Sequence, residues 1–106
     1  MVTRAEIEAL GKRIGEEFGA ERVILFGSHA LGTAGPDSDV DLLAIIAGVA
    51  RPVRKEAEIL ARIRPPFAVD LLVDTPEHIA ARLARGDRFL GGVLSEGRSL
   101  YGPLAR

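Results

Sequence analysis

Val23-Ile24-Leu25-Phe26-Gly27-Ser28-His29-Ala30-Leu31-Gly32-Thr33-Ala34-Gly35-Pro36-Asp37-Ser38-Asp39-Val40-Asp41-Leu42-Leu43-Ala44-Ile45-Ile46 is the stretch that decides the fold. Its first four apolar residues, Val23 to Phe26, are too few for a helix and suit a buried strand. Gly27-Ser28 break the run, Gly32, Gly35 and Pro36 mark a loop, and Val40 to Ile46 form a second apolar run. Asp39 and Asp41 stand where that second run begins. Residues two apart in an extended chain point to the same side, so the two carboxylates share a face. They repel one another unless a cation lies between them, which is the arrangement a hard divalent ion needs.

Gly27 has no side chain to keep a ligand from the backbone, and Ser28 adds a hydroxyl and an N–H that suit phosphate oxygens. Magnesium commonly bridges one or two carboxylates to substrate phosphates. A phosphate-cradling turn about ten residues ahead of a carboxylate pair therefore reads as a metal–nucleotide site.

Gly27-Ser28, then Gly32, then Ser38-Asp39-Val40-Asp41-Leu42-Leu43 resembles the signature of the DNA polymerase β-like nucleotidyltransferases, and within them the minimal nucleotidyltransferases of prokaryotes. The resemblance runs from the first helix to about Gly102; the joined motif is specific where neither half is. It implies a Mg2+-dependent enzyme, with two ions possible, and ATP as substrate. By that resemblance Asp39, Asp41 and Asp70 would be both catalytic and metal ligands, and Gly27, Ser28 and Ser38 would bind nucleotide. The third acid of that family comes from a strand beside the first pair, and Asp70 matches it in context. The family often has an arginine just before the second glycine of the turn; this chain has Leu31.

Composition sets the outer bounds. The 106 residues suit a single domain, 1–106, with one core and no second substrate-binding domain. A hydrophobic content of 47% and a charged content of 27% are ordinary for a globular protein. The net charge of −1 gives no basic footprint, which argues against a nucleic-acid partner. No cysteine is present, which excludes disulfides and thiolate–metal chemistry, and two histidines make a zinc site a poor fit. No apolar run reaches membrane-spanning length and the chain opens on a helix pattern, so the expectation is a cytoplasmic protein without span or signal peptide. Asn and Gln are absent, and Arg outnumbers Lys twelve to two, which is compatible with a heat-adapted or GC-rich source.

Taken in order, Thr3-Arg4-Ala5-Glu6 reads as a capping box opening a helix whose apolar stripe is Ile7, Leu10, Ile14 and Phe18, with Gly19 as its stop. A short turn over His29 to Leu31 is expected, capped by Ser28, with His29 in a solvent-exposed loop. Val53 to Arg64 reads as a helix with Val53, Ala57, Leu60 and Ala61 inward and a cationic outer surface, ended by Pro65-Pro66. Phe67 to Val73 is a third strand in which Asp70 is the one charge, costly in a buried strand unless it is paired or holds a metal. Thr75-Pro76-Glu77 opens a helix with surface His78, inward Ile79, Ala80 and Leu83, and Gly86 as its close. Asp87 to Glu96 forms another helix around Gly91-Gly92, and Arg98 to Tyr101 an edge strand. The expected fold is α/β (α+β): a small mixed sheet of three to four strands with helices packed mainly on one face.

In the resembling branch the gene partner is often a helical protein of the HEPN type, and the pair behaves as toxin and antitoxin. The expected function is transfer of AMP from ATP to an acceptor hydroxyl on such a partner, with homo-oligomers also possible. The alternative is a catalytically degenerate module that neutralises or scaffolds a helical partner, which Leu31 favours and the three acids oppose.

Overall fold

The computed structural model describes residues 1–103. Helix α1 (Arg4–Phe18) opens on the expected capping box: Thr3 Oγ1 accepts the Glu6 N–H at 3.1 Å, and Glu6 Oε1 accepts the Thr3 N–H at 2.8 Å. It ends at Gly19, whose φ of 65° is the left-handed conformation glycine adopts most readily. Strand β1 (Arg22–Phe26), one-turn helix α2 (Ser28–Leu31) and strand β2 (Val40–Ile45) follow. Helix α3 (Pro52–Ile63), strand β3 (Val69–Asp74), helices α4 (Pro76–Ala84) and α5 (Arg88–Glu96), and strand β4 (Arg98–Tyr101) complete the fold.

The strands lie in the order β3-β2-β1-β4. β1 is antiparallel to both β2 and β4, whereas β2 and β3 run parallel, joined by the crossover that contains α3. The sheet is therefore mixed, as expected. The larger core lies on one face, where α1 and α3 cover Val23, Leu25, Val40, Leu42, Ala44, Leu71 and Val73. The second face is also covered, by the shorter α4 and α5, which bring Ile79, Leu90 and Val93 onto Ile24, Leu43 and Ile45. The near-continuous apolar run of β2 follows from this two-sided burial.

Three local expectations are corrected. The inner face of α3 is Ile59 and Ile63, not Val53, Ala57 and Ala61, which are exposed; Leu60 is half-buried. The helix starts at Pro52 and turns its isoleucines inward, with Glu56 accepting the Val73 N–H at 2.9 Å. In α4 only Ile79 is buried, and Ala80 and Leu83 face solvent. Strand β3 begins at Val69, since residues 67–68 lie in a bend and its approach, and it extends to a second acid, Asp74.

Two glycines inside α1 escaped the helical pattern. A Cβ on Gly11 would strike Leu100, and one on Gly15 would strike the Tyr101 ring. Both glycines are buried, so α1 carries two poor helix formers because β4 presses directly against its backbone.

Candidate functional site

The sheet register brings the acids together. Asp41 is the second residue of β2, and its partner on the parallel strand β3 is Asp70. Paired residues on neighbouring strands present their side chains to the same face, here the face of Leu43 and Ile45 that α4 and α5 cover. Asp39 immediately precedes β2. Asp41 is half-buried, whereas Asp39 and Asp70 are exposed at the open end of the sheet. Burial raises the Asp41 carboxyl above the ordinary aspartate value, the nearby charges of Asp70 and then Asp39 push it the same way, and His29 opposes them. Asp70 is not a buried strand charge: it sits exposed near the start of an edge strand, where it costs little.

On its other side, Asp41 stands opposite Phe26, the last residue of β1, and the chain then turns at Gly27. Gly27 has φ 75° and ψ −155°, a combination essentially reserved for glycine. A Cβ there would collide with Asp41 Oδ2. The turn thus lays bare backbone against the carboxylate. Ser28 is the first residue of α2, and no side chain caps this helix; Gly27, rather than Ser28, occupies the capping position.

Ser38 sits just ahead of Asp39, with its hydroxyl accepting the Gly35 N–H at 2.9 Å, so it closes the loop that delivers the acid. His29 is half-buried rather than loose in solvent, and its Nε2 lies 3.2 Å from the Ser38 carbonyl oxygen. It ties the Gly27-Ser28 turn to the same loop. No local signal in the sequence announced this tie, because a glycine-rich loop separates the two residues.

A family model, the nucleotidyltransferase domain, matches residues 7–94. The chain belongs to the nucleotidyltransferase domain family. Solved structures share its polymerase β-like fold. One is a toxin–antitoxin crystallised with AMP-PNP, 20% identical, with a TM-score of 0.58 over 96% of this chain and 75% of that one. Another is a tyrosine-to-alanine variant of a toxin–antitoxin named MntA-HpeT, 19% identical, TM-score 0.59, over 97% of this chain and 75% of that one. A third, from Sulfolobus solfataricus and provisionally described as a nucleotidyltransferase, is 25% identical, TM-score 0.51, over 79% of this chain and 82% of that one. No curated protein matches the chain.

In this nucleotidyltransferase domain the donor chemistry fits a hard divalent ion. The acids offer only carboxylate oxygens, and the missing side chain at Gly27 keeps Asp41 Oδ2 within reach. Among the described residues, no three acidic or histidine side chains already form a metal-holding group.

The nucleotidyltransferase domain also carries a polar network that the sequence did not announce. Asp74, at the end of β3, is buried and accepts from the Thr75 N–H at 2.9 Å and from Arg82 at 3.3 Å, with His78 Nδ1 at 2.7 Å. Arg82 also donates to Asp87 at 2.9 Å, and Asp87 caps α5 through the Leu90 N–H. His78 is at the surface, as expected, but its ring is held by a buried acid.

Proposed function

We propose that this domain is a magnesium-dependent enzyme that moves AMP from ATP onto a hydroxyl of a helical, HEPN-type partner protein in a toxin–antitoxin-like pair. The observation that carries this reading is the in-register pairing of Asp41 with Asp70, with the bare Gly27 backbone against Asp41. The reading gains support from neighbours of like fold crystallised as toxin–antitoxin, one of them with AMP-PNP.

Each residue then has a task. Asp39, Asp41 and Asp70 would hold the magnesium, whose chemistry when bound is to neutralise charge on the attacking and leaving oxygens. Gly27 and Ser28 hold the triphosphate through backbone N–H groups and a hydroxyl, and the turn's glycine lets phosphate approach closely. His29 and Ser38 fix the loop on which Asp39 rides. The acceptor oxygen bonds to the α-phosphorus as the bond to pyrophosphate breaks in line. Asp70, the exposed member of the register pair, takes the acceptor's proton. The products are a nucleotidylated hydroxyl and pyrophosphate.

The test is calorimetric titration of ATP with magnesium and then with EDTA, followed by transfer of α-labelled AMP to a purified HEPN-type helical protein. The expected result is magnesium-dependent binding that Asp39→Asn removes and label transfer that Asp41→Asn abolishes. Binding that survives EDTA, or full transfer by Asp41→Asn, rejects the assignment.

A further inference from the structure

The triphosphate tail is strongly anionic, and the turn proposed to hold it lies beside three carboxylates, so magnesium alone leaves the outer phosphates short of positive partners. The nearby cations are mostly engaged. Arg98 donates to the Ala30 carbonyl at 3.2 Å, Arg82 is shared between Asp74 and Asp87, and His29 is tied to Ser38. Leu31, on the turn itself, is apolar and exposed.

Arg88 is different. A groove of about 270 Å³ runs between the Gly27 turn and α5, lined by Phe26, Gly27, Leu31, Arg88, Phe89 and one acid, Glu96. Its register is set from two sides. The Phe89 ring stands edge-on to Phe26, with centroids 5.6 Å apart, and Phe26 is the strand partner of Asp41. The residue before Arg88, Asp87, is fixed by capping α5 and by the Arg82 bond. Arg88 is exposed and makes no salt bridge among the described residues. The fold thus holds a free guanidinium on the carboxylate face, across a groove from the phosphate turn. A guanidinium matches phosphate oxygens in pairs, which suits the end of a triphosphate better than a base or sugar.

We infer that Arg88 binds the terminal phosphates of the nucleoside triphosphate, supplying from α5 the cation that the turn, with Leu31, does not carry. This rests on the reading of the carboxylates as a nucleotide site and names a further residue of that site.

The experiment compares ATP, AMP and inorganic tripolyphosphate binding, with magnesium, to the full chain and to Arg88→Ala, Arg88→Lys and Arg85→Ala. Arg88→Ala should weaken ATP and tripolyphosphate about tenfold or more, the loss of one charge-assisted contact, and leave AMP within about twofold. Arg88→Lys should recover part of the loss, and Arg85→Ala, an exposed charge three residues away, should change none of the three. Equal ATP affinity in Arg88→Ala overturns the inference and leaves the carboxylate reading standing. So does an equal loss for AMP, or an equal loss in Arg85→Ala. A wild-type chain that binds no ATP overturns both. Since Arg88 is exposed, unchanged melting of Arg88→Ala separates lost contact from lost fold.

Discussion

Gly27→Ala tests the most demanding contact in the molecule. Two penalties meet at this position. The backbone occupies φ 75°, ψ −155°, which costs a non-glycine residue of order 1–3 kcal/mol. The new methyl would also overlap Asp41 Oδ2, so the carboxylate must leave its place or the turn must open. We expect a loss of about 2 kcal/mol from the backbone and about 1 kcal/mol more from displacing Asp41. For a domain of about a hundred residues that is a fall in Tm of roughly 12 °C. A double-mutant cycle with Asp41→Ala divides the two parts: the truncated acid leaves room for the methyl, so the overlap vanishes and the backbone cost remains. Thermal and denaturant unfolding of the four proteins, with ATP titrations on the folded fractions, supply the data. Gly27→Ala melting within about 2 °C of wild type, or a cycle showing no coupling, would refute the close approach and the site geometry built on it.

Further expectations follow from the same structure. Asp41 titrates above its ordinary value because of burial and the two neighbouring acids, so the folded chain holds that proton more tightly than the unfolded chain. Ionised Asp41 therefore weakens the fold at neutral pH and ceases to do so as pH falls through the carboxylate range; metal-free Asp41→Asn should melt higher than wild type at pH 7 and lose that advantage in acid. Magnesium at a hundred times its dissociation constant should stabilise wild type by about 2.7 kcal/mol and Asp39→Asn far less, readable as a shift in Tm. Gly15→Ala, which on helix propensity alone should gain about 1 kcal/mol, should instead destabilise by about 1–3 kcal/mol through the Tyr101 ring, and Tyr101→Ala should reverse the sign. Asp74→Ala, which takes the acceptor from the Thr75 N–H and one of the two carboxylates from Arg82, should cost about 2 kcal/mol in urea unfolding, with no loss of helix α1.

What was legible in the sequence was whatever a short window could carry. The capping box, the stop at Gly19, the β1–turn–β2 stretch and the short β4 all rest on neighbouring residues, and each lies where the pattern put it. The inner face of α3 was misread because Val53, Ala57 and Ala61 also recur at helical spacing; packing against the β3 strand, not the period, chose Ile59 and Ile63. The place of Gly11 and Gly15 in α1 has its reason in β4, more than eighty residues later in the chain. At the site, the Asp39–Asp41 pair and the Gly27-Ser28 turn were visible as chemistry. The Asp41–Asp70 register, the His29–Ser38 tie and the Asp74–Arg82–Asp87 chain exist only once distant strands and helices meet.

The parallel pairing of β2 with β3 has a consequence in time as well as in space. The β1–β2 hairpin closes over the connection 27–39, and a chain folded that far already owns Gly27, Asp39 and Asp41. Asp70 joins them only through the crossover that contains α3, a less local contact than the hairpin. A half-formed chain therefore displays two acids and lacks the third. On the proposed reading, cation affinity at this site would report that the sheet has closed.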